Sequence, residues 1–273
     1  MTKINLSAHT TTLTITFLSS VALAMKLTPQ LYTLSTEDRE RVETWGYVIK
    51  GLPADQKLED LLPSLLPNFN LPCLLEAVEK HFRPTTSYPI KRHIIYREPS
   101  QSLQVLFHNL TDEIDEMVVF DRTFYKQKGE LFVDHNYCVV PKNYQGIGLI
   151  KPVFQVSLQQ YVNMGVRKII VRATLGSGGY AWARYGFVAV KRNEVQKILT
   201  DAHKRLSIND FKLAEGIFMK YYFNNPTSTD FPMILWTRIP GMKDILCGSE
   251  WCGELDLHNT EQIRNFSRYV FRK

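Results

Sequence analysis

Two glycines at alternate positions mark the most chemically suggestive spacing in this chain. The stretch Asn143-Tyr144-Gln145-Gly146-Ile147-Gly148 follows a β-like run closed by Pro141, and an amphipathic pattern starts directly after it at Leu149. Glycines so placed let the backbone turn tightly and leave amide N–H groups pointing outward without chain acceptors. With the positive end of a helix dipole behind them, such amides suit an anion of the pyrophosphate kind. A Gly-x-Gly turn also serves plain chain reversal, so the motif acquires meaning only from its surroundings.

Other residues carry chemistry of their own. Asp134 and His135 are adjacent on one strand-like run, so they project to opposite faces and at most one can serve a given cleft. Tyr180 and Tyr185 offer phenols with an ordinary pKa of ~10, suited to protonating a departing thiolate. Cys247, Cys252 and His258 suggest three metal ligands, but C-x4-C is an unusual knuckle spacing and no second pair completes it. No metal is expected, and the four cysteines are too dispersed for a disulfide framework.

These residues need elements to hold them. The sequence of 273 residues, 44% hydrophobic and 22% charged, is ordinary for a globular protein with a sizeable core. Ser35 to Lys50, Leu58 to Leu62 and Leu71 to Phe82 read as helices punctuated by Gly51-Leu52-Pro53, Pro63, Pro67 and Pro84. The pattern then turns to period two. Ser102–His108, Glu116–Lys126 and Glu130–Val140 read as an antiparallel meander. Leu149 to Met164 is an amphipathic helix that Gly165 stops, and Arg167 to Thr174 returns as a strand parallel to the one before the helix. Beyond it come a short helix at Tyr180–Arg184, a strand at Val188–Val190, helices at 194–204 and 208–221, a strand at 232–237 and a terminal helix at 260–271. Trp251 to Leu257 reads as a capped helix start, or as a wall of carboxylates and an aromatic for a cation. A dinucleotide-binding fold is excluded by order. It places its glycine loop after the first strand of a parallel series, with an acidic residue ending the next strand, whereas here that strand ends in Ala173-Thr174.

Tyr144-Gln145-Gly146-Ile147-Gly148-Leu149-Ile150 resembles the acyl-CoA signature of the GNAT acyltransferase superfamily, Q/R-x-x-G-x-G/A, with Gln145 first and Gly148 fourth. Ala183-Arg184-Tyr185-Gly186-Phe187 resembles the stretch ending in Gly-Phe that follows in that family. The similarity spans about residues 100 to 190. It implies an α/β fold with a mixed sheet (α+β in its antiparallel part), here with a helical N-terminal extension. It also implies acetyl-CoA or another acyl-CoA as co-substrate, and direct transfer to an amine acceptor, a small molecule or a protein. Carried over, the cofactor-binding residues are Val139 and Val140 at the splaying strand end, then Gln145, Gly146, Ile147, Gly148, Leu149 and Ile150. Tyr180 or Tyr185 would act as acid and Asp134 as base, with a water chain as the alternative base. Two positions depart from the pattern. Ile150 replaces a small residue, and Trp182 occupies the place of the family's frequent acid tyrosine. The departures leave open a catalytically degenerate binding or regulatory module.

The net charge of +6 fits an anionic ligand such as coenzyme A, but the basic residues are scattered in no run longer than a pair, which argues against nucleic acid. No segment has the ~20 continuous apolar residues of a membrane span. Residues 1–24 read as a signal-like segment, a strand (Thr12 to Phe17 alternates) or an extension ahead of a start at Met25. An enzyme using coenzyme A draws on a cytosolic supply, so the expected location is cytoplasmic, with an exported effector or toxin domain as the alternative. The expected organisation is 1–24 apart, a mainly helical region over 25–98, and an acyltransferase-like domain over 99–273 with a C-terminal helical elaboration.

Overall fold

Strand after strand in the middle of the chain hides one face and shows the other, and this alternation builds the sheet. In the computed structural model, which describes residues 29–174 and 176–272, Leu103, Val105 and Phe107 are fully buried while Gln104, Leu106 and His108 between them are half-buried. The chain is a mixed α/β protein around an open nine-stranded sheet of order β1-β2-β3-β4-β5-β6-β9-β7-β8. The strands are β1 (Val48–Lys50), β2 (Ile90–Arg97), β3 (Ser102–Asn109), β4 (Val119–Gln127), β5 (Glu130–Val139), β6 (Val166–Ala173), β7 (Val188–Ala189), β8 (Phe231–Pro232) and β9 (Trp251–Asp256). β2 to β5 form an antiparallel meander, β1 and β2 are parallel, β5 and β6 are parallel, and β9 inserts antiparallel between β6 and β7.

Nine α-helices lie among the described residues: α1 (Thr36–Thr44), α2 (Leu58–Leu65), α3 (Leu71–Phe82), α4 (Lys151–Met164), α5 (Gly178–Arg184), α6 (Arg192–Arg205), α7 (Ile208–Asn224), α8 (Met242–Cys247) and α9 (Thr260–Val270). Capping explains several starts. Ser35 and Asp38 form a reciprocal capping box on α1, the Asn70 side chain accepts from the Cys73 N–H on α3, and Asn259 does the same for Glu261 and Gln262 on α9. Helices α3 and α4 pack on the apolar face of the meander, where Phe82 meets Phe107 at 6.3 Å and Tyr161 meets Phe124 at 6.1 Å. The opposite face is polar and half-buried, with Gln104, Thr123, Tyr125 and Asp134 along it. One buried cluster runs from Leu34 to Val270, so the N-terminal helices share the core of the sheet.

Several expectations need correction. The helix expected over Ser35–Lys50 ends at Thr44, because Gly46 at φ 87° breaks it and Val48–Lys50 then pair with His93–Ile95 as β1. The region read as mainly helical therefore also supplies two strands, β1 and β2. Pro63 lies inside α2 rather than ending it. β4 starts at Val119, not Glu116, because Ile114–Glu116 close a short 3-10 turn. The strand expected at 232–237 is two residues long and gives way to a 3-10 helix, Met233–Arg238. Trp251 to Asp256 is neither a helix start nor an acceptor wall but an inner strand, paired residue by residue with Lys168–Ala173. The readings placed on residues 1–24 fall outside the described residues. No helix among the described residues is long and apolar enough to cross a membrane.

Candidate functional site

The parallel pair β5 and β6 slips after Leu131/Val166 and then stays in register only from Phe132/Lys168 to His135/Val171. Beyond His135, β5 runs on to Val139, still paired with β4 but with no partner in β6. Asn136–Val139 thus have no ladder partner on the β6 side, although the Tyr137 carbonyl is taken by Arg122. At the same point the ladder to β4 slips, since Arg122 pairs with His135 but Asp121 pairs with Tyr137. Asn136 is the extra residue of a β-bulge, a device that bends a strand and strengthens its twist.

Arg122 holds the bulge. Its side chain is fully buried, and its NH1 group donates to the carbonyls of Asp121 at 2.7 Å and Tyr137 at 2.8 Å. The guanidinium lies 4.3 Å from the Phe120 ring centroid, and neither Nε nor NH2 meets a hydrogen-bond acceptor among the described residues. Sequence reasoning passed over Arg122. Its signal was there: an arginine standing between Phe120 and Phe124 on the apolar side of a period-two run.

The wedge between the strands is lined by aromatics. Trp182 of α5 stacks on Phe154 of α4 at 5.9 Å and meets His135 edge-on at 5.7 Å, while Tyr185 closes on Phe154 at 5.2 Å and Tyr269 at 4.5 Å. Burial, then the adjacent Arg122, hold the His135 imidazole well below the ordinary histidine range. It is neutral at pH 7, with Nε2 2.8 Å from the Tyr161 hydroxyl. Burial first, then Tyr269 and Cys138, push the Tyr185 phenol far up, so it keeps its proton.

At the end of β5 the loop is arranged as its glycines suggest. Gly146 and Gly148 take φ of 79° and 84°, a left-handed conformation costly to other residues. The N–H groups of Gly146, Ile147, Gly148, Leu149 and Ile150 pair with no backbone acceptor, and Ile147 is 70% exposed. The Gln145 amide donates to the Val140 carbonyl at 3.1 Å, tying the loop to the strand end. Helix α4 starts at Lys151 with no side-chain cap, leaving its positive end open toward this loop. Val139, Val140, Leu149 and Ile150 are half-buried around it.

No family model, curated protein or solved structure matches this chain.

The residues named as acid and base are not brought together. Tyr185 belongs to the aromatic wedge on the His135 side of β5. Asp134 faces the opposite side, where it accepts from the Tyr125 hydroxyl at 3.1 Å, and burial raises its carboxyl despite that bond. Tyr180 is half-buried between Arg184 and Lys243, whose charged groups lie 5.6 and 6.0 Å from its ring. Among the described residues no group of three or more His, Cys, Asp or Glu side chains is placed to hold a metal ion.

Proposed function

We propose that the chain binds an acyl-CoA along the open edge of β5 and transfers the acyl group to an amine. The observation that carries this reading is the parting of β5 and β6 after His135/Val171, with the free strand edge leading directly into the Gly146–Ile150 amides. An extended amide-bearing pantetheine arm can pair with the free edge as a strand would, and a pyrophosphate can take up the loop amides and the α4 N-terminus. Acetyl-CoA is the simplest donor. The cofactor-binding residues are then Val139, Val140, Gln145, Gly146, Ile147, Gly148, Leu149 and Ile150.

In the transfer, a neutral amine nitrogen attacks the thioester carbon. An N–C bond forms, the C–S bond breaks, the nitrogen loses its extra proton and the thiolate gains one. A backbone N–H on the free edge near Val139 polarises the carbonyl, and a desolvated wedge strengthens that interaction. Tyr185, which burial makes a weaker acid than a free phenol, can hydrogen-bond the departing sulfur, and the thiolate takes its proton from water. Asp134 lies across the strand and can relay the ammonium proton only through water.

A second reading has its own support. Trp182 fills the place where a phenol is expected, and its indole cannot protonate a thiolate, which favours a module that binds coenzyme A without turnover. Release of free coenzyme A thiol from acetyl-CoA, followed with and without a panel of primary amines, separates the two. Amine-dependent release supports transfer. Binding without release assigns the module, and neither binding nor release removes both.

A further inference from the structure

The strongest unassigned feature is a cavity of about 880 Å³ on the polar face of the sheet, at the end of β5 that has left β6. Its wall is largely apolar, with Leu106, Met117 and Val119, but carries Asp112, Glu113 and Asp121 beside Tyr88 and Tyr137, and among the described residues no lysine or arginine lines it although the chain carries +6 overall. None of the three carboxylates is in an ion pair among the described residues.

Asp121 is 8% exposed and is held by neutral donors alone. Gln104 Nε2 donates to both its oxygens at 2.8 and 2.9 Å, and Asn136 Nδ2 donates to one at 2.9 Å. Arg97 donates to the Gln104 oxygen at 2.6 Å, which fixes the amide with its nitrogen toward Asp121. The outer wall is equally built. Buried Asn109 donates to Thr86 and to the Glu116 carbonyl and accepts from the Val118 N–H at 2.8 Å, pinning the loop that carries Asp112 and Glu113. Glu113 accepts from the Tyr88 hydroxyl at 3.1 Å, and Tyr137 offers a ring that is 52% exposed.

Carboxylates without cations, beside aromatic rings that cover methylene stems, recognise an organic cation with more than one amine. We infer that this cavity is a binding site for a small linear polyamine. Tyr137 lies two residues, ~6.6 Å along the strand, from Val139. Lys142, just ahead of the glycine loop, bridges back at 2.9 Å to Asp115 on the cavity's own loop. The site therefore abuts the edge proposed for the thioester and is the acceptor site of that reaction. That last role rests on the acyl-transfer reading; the binding of a cation does not.

The probe is spermidine, titrated calorimetrically into the full chain without coenzyme A, at low and at physiological salt. The parent is expected to bind one equivalent. Asp121→Asn is expected to weaken binding ~tenfold or more, and Glu113→Gln and Tyr137→Ala, both away from the core, by smaller factors. Coenzyme A binding by Glu113→Gln, which lies off the β5 edge, measured separately, is expected to be unchanged. No saturable binding, or equal affinity in the parent and all three variants, overturns the site whatever coenzyme A does. Spermidine binding in a chain that ignores coenzyme A would keep this site and remove only its role as acceptor.

Discussion

Replacing His135 by glutamine should flatten the acid limb of the stability curve. The imidazole is buried against Arg122, Phe154, Tyr161 and Trp182, and burial depresses its folded pKa well below the ordinary histidine value of about 6.5. The unfolded chain then binds a proton that the folded chain refuses. Stability rises with pH through this window, is complete above about pH 6.5, and is lost as pH falls below it. Well below the unfolded pKa each pH unit costs at most about 1.4 kcal/mol, so the loss by pH 5 is on the order of 1–2 kcal/mol. Glutamine keeps a hydrogen-bonding group for Tyr161 and removes the titration. Urea unfolding of parent and His135→Gln at half-unit steps from pH 7.5 to 5 measures the difference. His81, His93 and His258, whose pKa values are also lowered, are present in both chains and cancel. The variant will be less stable at neutral pH from altered packing, but the gap should narrow by about 1–2 kcal/mol on acidification. Parallel curves would refute the burial argument and with it the account of a neutral, desolvated wedge.

Two further substitutions probe the supports of the two sites. Asn109→Ala leaves the buried Val118 N–H without its acceptor and frees Glu116, and should cost about 2–4 kcal/mol in urea unfolding. A cost within ~0.5 kcal/mol would mean that the cavity loop is not held as described. Trp182→Tyr puts a phenol in the wedge between Phe154 and His135, and should raise the rate of amine-dependent thiol release while leaving coenzyme A affinity within ~twofold. An unchanged rate would show that protonation of the leaving sulfur does not limit turnover.

Local signals read well where a single stretch carried its own evidence. α3 runs from Leu71 to Phe82 as its pattern indicates, and Gly165 ends α4 at φ 72°. The glycine loop, its helix and the parallel return strand were legible because turn chemistry and periodicity coincide there. β1 and β2 were not, since three residues after a helix become a strand only through their pairing with His93–Ile95. β9 hid in a stretch that reads as a capped helix start, with Gly253 in its middle. In the fold a Cβ there would stand 2.5 Å from the Trp251 ring and 2.9 Å from Val171, so the glycine answers a close approach across the sheet. The bulge at Asn136 and the cavity at Asp121 depend on contacts between residues far apart in sequence, and no local window contains them. Asp134 was read on the correct face relative to His135, yet which face borders the wedge was visible only once α4 and α5 were in place.

A coenzyme A molecule held by the open edge of β5 and the amides after Gln145 must stabilise the folded chain. Thermal unfolding with and without coenzyme A, in the parent and in Gly148→Trp, tests it most directly. A ligand at ~100 times its Kd stabilises the folded state by about 2.7 kcal/mol, roughly 5–10 °C in Tm for a chain near this size. Such a shift is expected in the parent and its loss in Gly148→Trp, whose indole would stand among the loop amides. No shift in the parent at high excess, or an equal shift in the variant, would contradict it.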